Sequence, residues 1–164
     1  NQTSTQCVDL LESGQVDFAI TNYPNSGLSN TQNVRIIREF KDVFVANDEY
    51  KELRGKTISL KDLRHFPILM LDRKSTTSEF LHSMFQRHQL DLVPEIELSS
   101  NDLLIDLARI GLGVAFVPDY CIPENEHSLF KVQIHEELPT RQIVVASNDS
   151  LPISQAAKQF MEML

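Results

Sequence analysis

The chain has 164 residues, of which 41% are hydrophobic and 23% charged, proportions of a folded globular protein rather than a disordered one. Its 15 Lys and Arg against 23 Asp and Glu give a formal net charge of −8 at pH 7, so we expect no direct binding to nucleic-acid phosphates. No apolar run approaches the roughly 20 residues of a membrane-spanning helix, so we also expect no membrane partner.

The beginning of the chain predicts a helix, a strand and a turn. Hydroxyl side chains at 3–5 are typical of a helix N-cap, and Gly14 suits the left-handed position that ends a helix. The apolar residues of 16–20 predict a buried strand. The segment 21–27 is rich in turn formers and predicts a loop.

The remainder of the chain predicts strands and helices in alternation, which is the pattern of an α/β protein. The spacing of Thr76 and Glu79 fits a capping box, and the last helix is expected to start at Ser150 or Pro152. The predicted elements are, in order, strands within 34–46 with a break near 40–42, a helix over 59–64, a strand over 68–71, a helix over 76–89, a strand over 95–98, a helix over 100–110, strands over 114–117, 129–134 and 142–146, and a helix over 153–163.

The alternation over 68–117 predicts βαβ crossovers and hence a parallel sheet, whose carboxyl edge is the usual place for a ligand. Helix N-termini at that edge expose unpaired amides and a partial positive charge, which attract carboxylates and other oxyanions. Three hydroxyl-rich caps are therefore candidate ligand contacts, with ordinary N-capping as the alternative for each. They contain Thr3 and Ser4, Ser75 and Thr76, and Ser99 and Ser100.

Motifs of catalysis and of cofactor binding are absent from the sequence. It has no Gly-x-Ser-x-Gly elbow, no P-loop and no His-Glu-x-x-His. Gly111 and Gly113 precede a predicted strand rather than opening a helix, so they do not form a dinucleotide fingerprint. The five histidines are scattered. We therefore expect neither a metal site nor a cofactor.

The two cysteines, Cys7 and Cys121, are too few for a disulfide framework and fit a reducing intracellular compartment. Acidic neighbours of Cys121, such as Asp119 and Glu124, would raise the pKa of its thiol. We therefore interpret both cysteines as inert small residues rather than redox sensors.

Four segments of the chain, taken in order, resemble one protein family. LESGQVDFAI at 11–20 is similar to the family pattern L-x-x-G-x-x-D-x-A-I, and GLGVAFVP at 111–118 is similar to G-x-G-(I/V)-A-x-(L/V)-P. ISLKDL at 58–63, leading to PIL at 67–69, and LPTRQI at 138–143 resemble two further family segments. The family is that of the LysR-type transcriptional regulators, and the resemblance is to their effector-binding domain.

The resemblance implies a periplasmic-binding-protein-like (type II) α/β fold, in which two lobes are joined by two crossing strands and enclose a small-molecule cleft. We place lobe II at 42–139 and a discontinuous lobe I at 1–41 and 140–164. The implied function is effector sensing for a bacterial, cytoplasmic transcriptional regulator. A small anionic metabolite would bind between the lobes and modulate DNA binding and transcription by the intact protein.

The resemblance also adds a second set of candidate ligand contacts. In the family, the loop after the first predicted strand faces the cleft, and the end of the Gly-x-Gly strand often forms a cleft wall. The corresponding residues are Thr21 and Asn22, and Phe116, Val117 and Pro118. Packing in a buried strand is the alternative for the second group, above all for Val117.

Two family features have no counterpart in this sequence, and its first residue is Asn1 rather than Met. The family carries an N-terminal winged helix-turn-helix, and its lobe I begins with a strand–helix–strand unit ahead of the segment matched by 1–14. We therefore expect a piece of a longer protein, with an incomplete lobe I that exposes apolar surface. DNA would be contacted only through the missing domain. Homo-oligomerisation is expected of the intact protein and left open for this chain.

Two other functions remain open from the sequence. A solute-binding protein of a transporter shares the fold and would need export. An enzyme on the same fold would need an acid–base or nucleophilic constellation, which the sequence lacks, so we expect no enzymatic activity.

Overall fold

The computed structural model describes residues 3–28 and 32–164, which form a mixed α/β architecture with two sheets. The elements are, in order, α1 (Ser4–Glu12), β1 (Phe18–Tyr23), β2 (Gln32–Phe40), β3 (Asp42–Ala46), β4 (Thr57–Ile58), α2 (Leu60–Leu63), β5 (Ile68–Leu71), α3 (Thr76–Arg87), β6 (Ile96–Leu98), α4 (Asn101–Arg109), β7 (Val114–Pro118), β8 (Phe130–Ile134), β9 (Arg141–Asn148) and α5 (Gln155–Met163), with 3₁₀ turns at Asp48–Leu53 and Asp119–Cys121.

The chain divides into two compact units. Unit 1 comprises Asn1–Phe40 and Thr140–Leu164, and unit 2 comprises Lys41–Pro139. Unit 1 therefore contains α1, β1, β2, β9 and α5, while all the other elements belong to unit 2.

Unit 1 is built on a three-stranded antiparallel sheet in the order β1-β9-β2. The apolar side of α1 packs on this sheet, where Leu11, Ala19 and Ala146 form a small core. Phe160 of α5 stacks on Phe18 of β1, with ring centroids 5.4 Å apart. These contacts leave other apolar side chains of unit 1 exposed, among them Ile20, Val34, Ile36 and Met163.

Unit 2 is built on a six-stranded sheet in the order β4-β8-β3-β7-β5-β6. Strand β5 runs parallel to both of its neighbours, β6 and β7, and β3 runs antiparallel to β7 and β8. Because side chains alternate across a strand, each face of the sheet has its own core. The α3 face buries Phe44, Met70, Leu81, Phe85 and Phe116, and the α4 face buries Val45, Leu69, Leu104, Ala108 and Ala115.

Most predicted elements are confirmed, and the break expected near 40–42 falls at Lys41, between β2 and β3. Two boundaries are wrong. The first strand is displaced from 16–20 to Phe18–Tyr23, so it continues into the segment predicted as a loop. The last helix is capped by Ser154 rather than Ser150 or Pro152, because the Ser154 hydroxyl accepts the hydrogen bond from the amide of Ala157.

Gly113 permits the close approach of β7 to β5. A Cβ atom at this position would lie 2.6 Å from the backbone oxygen of Pro67 and 2.9 Å from the side chain of Leu69. The amide of Val114 donates to that same Pro67 oxygen at 2.8 Å. The absence of a side chain at Gly113 therefore lets the parallel pairing of the two strands begin.

The segment after β7 is held to α4 by a shielded ion pair. Arg109 donates from Nε and Nη2 to Oε2 of Glu126, at 2.8 and 2.7 Å. The other carboxylate oxygen accepts the amide of Ser128 at 2.7 Å. Burial raises the pKa of Glu126, but the hydrogen bonds from Arg109 and from the backbone outweigh burial and leave the pKa below its usual value.

We predict that Gly113→Ala destabilises the protein by about 3 kcal/mol, because the contact is with a backbone oxygen and the overlap cannot be relieved by a rotamer change. Chemical denaturation measures the loss. Gly55→Ala is the matched control, since Gly55 has a φ of +72° but open space around its Cβ position. It should cost about 1 kcal/mol from backbone strain alone. Equal losses for the two variants would contradict the close approach.

A second prediction concerns acid stability. Since the folded-state pKa of Glu126 is lowered, its charged form stabilises the fold above the unfolded pKa of about 4.3, and this stabilisation is lost as pH falls through the folded value. Glu126→Gln should therefore be less stable than wild type at pH 7, with a difference that shrinks below about pH 4. Denaturation at several pH values tests this.

Asp48→Asn is the control for the acid-stability prediction, because the Arg54–Asp48 pair is largely solvent-exposed. Exposed ion pairs contribute little to stability, so this variant should follow wild type at every pH. A constant difference between Glu126→Gln and wild type across the whole range would contradict the role of the charge.

Candidate functional site

The carboxyl edge of the unit 2 sheet brings three of the predicted residue groups together. Leu71 at the end of β5 is in register with Leu98 at the end of β6, and Asp72 donates its amide to Leu98 at 2.8 Å. Strand β7 runs parallel to β5 on its other side, with Ile68 opposite Val114. Three strand ends therefore lie along one edge of the sheet. The end of β5 is followed by Ser75 and Thr76, and the end of β6 by Ser99 and Ser100. The end of β7 is formed by Phe116, Val117 and Pro118.

The start of α3 is a buried run of four hydroxyl side chains. Ser75, Thr76, Thr77 and Ser78 are 9%, 5%, 2% and 0% exposed. The predicted capping box of Thr76 with Glu79 is wrong, because Ser75 is the N-cap and its hydroxyl accepts the amide of Ser78 at 3.0 Å. The run places hydroxyl groups beside the positive end of a twelve-residue helix.

The start of α4 is also capped by a serine hydroxyl. Ser100 is the N-cap and accepts the amide of Leu103 at 3.4 Å, while Ser99 is exposed. Asp102 lies in the first turn, so a carboxylate already occupies the positive end of this helix. The first turn of α3 also contains a carboxylate, that of Glu79, so the two helix starts do not differ in this respect.

The thiol of Cys121 lies close to several carboxylates, one of them in the first turn of α4. Burial, followed by the carboxylates of Asp102, Asp42 and Asp119, raises the pKa of this thiol to about 11. The direction agrees with the sequence prediction, but the carboxylates are not the expected set, since Asp102 and Asp42 are distant in sequence. Burial also raises the pKa of Cys7. Neither environment activates a thiolate.

The end of β7 is used mainly for packing. The Phe116 ring lies 4.6 Å from the Phe44 ring and 6.2 Å from the Phe80 ring, measured between centroids. Val117 belongs to the core on the α4 face, and Pro118 is the last residue of the strand, in register with Asp42. All three residues are buried, and Pro118 lies nearest the sheet edge because it ends the strand.

In unit 1 the structure brings Ser4, Thr21 and Asn22 together around a residue that the sequence did not single out. Asn25 donates from its side-chain nitrogen Nδ2 to the Ser4 carbonyl at 3.1 Å and to the Thr21 hydroxyl at 3.2 Å. Thr21 donates to the Ser4 carbonyl and the Asn22 amide donates to the Ser4 hydroxyl, both at 3.4 Å. Asn25 resembled a turn former, and only its burial distinguishes it.

Thr21 and Asn22 do not occupy the loop in which they were predicted, because β1 continues through them to Tyr23. Thr21 follows Ala19 by two residues and therefore faces the α1 side of the sheet, where Asn25 and Ser4 satisfy its hydroxyl. Thr3 caps α1 in a reciprocal capping box with Gln6. Thr3 is thus already engaged within its own helix, which favours the capping interpretation for this residue.

A cavity of about 300 Å³ lies elsewhere in unit 2, between β3, the segment after β7 and the start of β8. Val45, Ile122, Leu129 and Phe130 provide apolar lining, and Asp119, Glu124, Glu126 and Lys131 provide charged groups. None of the predicted site residues lines this cavity. Its excess of carboxylates makes it unsuitable for an anion.

Two further findings bear on the class of site. Within residues 3–28 and 32–164, no group of three or more His, Cys, Asp and Glu side chains is arranged to hold a metal ion. Among the helices of the described part of the chain, none combines the length and the apolar character needed to cross a membrane.

Comparison with known proteins gives the family. The family model of the LysR substrate binding domain matches residues 1–164. The HTH-type transcriptional regulator BsdA of Bacillus subtilis is 26% identical over 161 residues, covering 95% of this chain and 54% of that protein. The chain thus spans about half the length of this relative.

The solved structures agree on the fold. The regulatory domain of Synechocystis CcmR, in complex with 2-PG, superposes with a TM-score of 0.87 at 20% identity, covering 99% of this chain and 78% of that one. The effector binding domain of QuiR, in complex with shikimate, gives 0.83 at 17% identity, covering 98% and 76%. This is the type II periplasmic-binding-protein-like fold. The chain belongs to the LysR substrate binding domain family.

Proposed function

We propose that the chain is the effector-sensing regulatory domain of a bacterial LysR-type transcriptional regulator and binds a small anionic metabolite. Lobe I corresponds to 1–41 and 140–164, lobe II corresponds to 42–139, and both lobes contribute ligand contacts. The observation that carries the proposal is the buried hydroxyl run Ser75–Thr76–Thr77–Ser78 at the start of α3. It supplies hydroxyl groups and helix amides at the carboxyl edge of a parallel sheet, where α/β proteins bind ligands.

The anionic character of the effector is supported by the chemistry of this edge. Four consecutive hydroxyl side chains bring no negative charge, Arg73 and Lys74 stand just before them, and the single carboxylate of the first turn is that of Glu79. An oxyanion placed there would gain the partial positive charge of the helix and hydrogen bonds from donors already held in place. The QuiR domain binds shikimate, a carboxylate, on the same fold.

In the intact cytoplasmic protein, effector binding would act by shifting a conformational equilibrium. A ligand changes the populations of two arrangements only by the difference between its affinities for them. We propose that the arrangements differ in lobe angle or in the assembly of a homo-oligomer, and that DNA is contacted through a separate domain. No enzymatic step is part of this proposal, and the BsdA relative is a regulator.

Genomic context discriminates the two functions that this fold supports. A helix-turn-helix encoded upstream of the segment supports the regulator. An export signal at that place would instead support a solute-binding protein of a transporter. Conversion of a bound metabolite to product would contradict both of these binding functions.

We predict that at least one small organic acid stabilises the protein against thermal unfolding. The test panel contains two cyclic carboxylates, shikimate and benzoate, two open-chain carboxylates, malate and citrate, and inorganic phosphate. Sodium chloride is the control for ionic strength. A ligand at a hundred times its Kd adds about 2.7 kcal/mol of stability. Differential scanning fluorimetry measures the shift. Amines of matching size that stabilise the protein while no acid does would contradict the anionic assignment.

We also predict that Thr21→Ala and Ser100→Ala each reduce the shift produced by an acid from this panel. Thr21 tests the contribution of unit 1 and Ser100 that of unit 2. Both changes remove structural hydrogen bonds as well, so dissociation constants must be measured by titration calorimetry rather than inferred from melting temperature alone.

Ser154→Ala is the matched control for these variants, since it removes the N-cap of α5, which contains no predicted site residue. Loss of an N-cap hydroxyl costs about 1 kcal/mol of stability. We expect this loss in Ser100→Ala and Ser154→Ala alike, but weaker acid binding only in the former. Unchanged acid affinity in both Thr21→Ala and Ser100→Ala would show that the predicted site is misplaced.

A further inference from the structure

The cavity of unit 2 lies where the cover of one sheet face changes. On the α4 face, Leu104 and Ala108 of the helix pack in one core with side chains of β5 and β7. Over β3 and β8 the cover is the segment 119–129, which the structure describes as one short 3₁₀ turn followed by irregular chain. The cavity of about 300 Å³ lies beneath this segment. It therefore belongs to the part of the face that the irregular segment covers.

Backbone hydrogen bonds and an ion pair hold the irregular segment in place. Its first residue, Asp119, donates its backbone amide to the carbonyl of Lys41 at 2.9 Å. The Glu126 side chain, 8% exposed, is held by Arg109 and by the amide of Ser128. These contacts do not involve any group that a ligand would have to supply, so the wall of the cavity is formed in the free protein.

The lining of the cavity has two parts of different polarity. Val45 is 1% exposed, and Ile122 and Leu129 are half-buried and pack against it in the core of the α4 face. Two carboxylates lie closer to the solvent, since Asp119 is half-buried and Glu124 is exposed. Such a lining fits an amphipathic molecule, whose hydrocarbon part contacts the apolar side chains and whose charged end remains near the carboxylates.

The charged groups of the lining favour a cation. They are the carboxylates of Asp119, Glu124 and Glu126 and the ammonium of Lys131. Glu126 is already paired with Arg109. Among the ion pairs formed within residues 3–28 and 32–164, none involves Asp119, Glu124 or Lys131. Two carboxylates therefore remain for a ligand, against a single exposed cation.

Cys121 gives an independent sign of a negative potential beside the cavity. It directly precedes the lining residue Ile122, and burial, together with carboxylates that include Asp119, raises the pKa of its thiol to about 11. A potential that disfavours a thiolate favours an ammonium group. Since no group of three or more His, Cys, Asp and Glu side chains in the described part of the chain could hold a metal ion, an organic cation fits better than a metal.

We propose that this cavity is a second ligand site, which binds a small primary amine with a hydrocarbon body. The ammonium group donates to Asp119 and Glu124, and the hydrocarbon part packs on the apolar lining. At about 30 Å³ for each atom-sized volume, the cavity accommodates a molecule of about ten non-hydrogen atoms. The proposal goes beyond the proposed function, because the ligand has the opposite charge and none of the residues predicted for the effector lines the cavity.

Calorimetric titration of the full chain, without added acid, tests the chemistry of the ligand. The probe is 2-phenylethylamine, a primary amine of about the expected size. It is compared with 2-phenylethanol, which has the same shape without the charge, and with putrescine, which has the charge without the ring. A hydrogen bond between charged groups accounts for about tenfold in affinity, and burial of a ring adds a similar factor. We therefore expect the probe to bind at least about tenfold more tightly than either comparison compound.

Charge variants test the residues assigned to the ammonium group. Asp119→Asn combined with Glu124→Gln should weaken binding of 2-phenylethylamine at least about tenfold. The matched control combines Asp91→Asn with Glu95→Gln, which removes two exposed carboxylates of unit 2 that do not line the cavity, and it should bind like wild type. Lys131→Gln removes the cation of the lining, so it should bind the amine about twofold more tightly. Denaturation checks that each variant is folded.

Methyl NMR locates the bound amine. The methyl signals of Val45, Ile122 and Leu129 should move during the titration, while those of Leu81, in the core on the α3 face, should not.

Each outcome of these measurements decides a stated point. Equal binding of 2-phenylethanol overturns the role of the carboxylates, and equal binding of putrescine overturns the role of the apolar lining. Wild-type affinity in the double variant of Asp119 and Glu124 overturns the location of the site. If 2-phenylethylamine does not bind wild type, the amine site is overturned while the proposed function, which the acid panel tests, is unaffected. If no acid binds but the amine does, the proposed function fails and the amine site stands.

Discussion

The parallel pairing of β5 with β6 and β7 is the constraint on which the candidate site depends. It fixes three strand ends along one edge, so that the segments after them start at the same level of the sheet. The pairing begins where Gly113 meets the Pro67 carbonyl, a contact that leaves no room for a Cβ atom. A feature at the amino edge of the sheet thus determines which side chains meet at the carboxyl edge.

Sequence patterns predicted this region well because its signals are local and mutually consistent. Apolar runs such as 68–71 and 114–117 are short and fully buried, which is typical of strands covered on both faces. Hydroxyl caps marked the helix starts, and Gly111, with a φ of +79°, follows the end of α4. Where each local preference agrees with the global fold, periodicity is sufficient.

The sequence was a poorer guide wherever tertiary contacts decide between equivalent local choices. Ser75 and Thr76 are both good caps, and only the hydrogen bond to Ser78 distinguishes them. Thr21 has the polarity of a loop residue, but its bonds with Asn25 and Ser4 permit its burial in a strand.

The negative net charge of the chain is compatible with an anionic ligand, because salt screens distant charges and only charges close to the binding site affect the ligand. At physiological ionic strength the Debye length is about 8 Å, so most of the acidic side chains of a chain with charge −8 contribute little at one helix end. Nearby groups then determine the preference of each site. Asp102 lies in the first turn of α4 and Glu79 in the first turn of α3, where Arg73 and Lys74 stand just before the helix. The charged groups within a Debye length of a helix end, rather than the overall charge of the chain, therefore decide whether an anion can bind there.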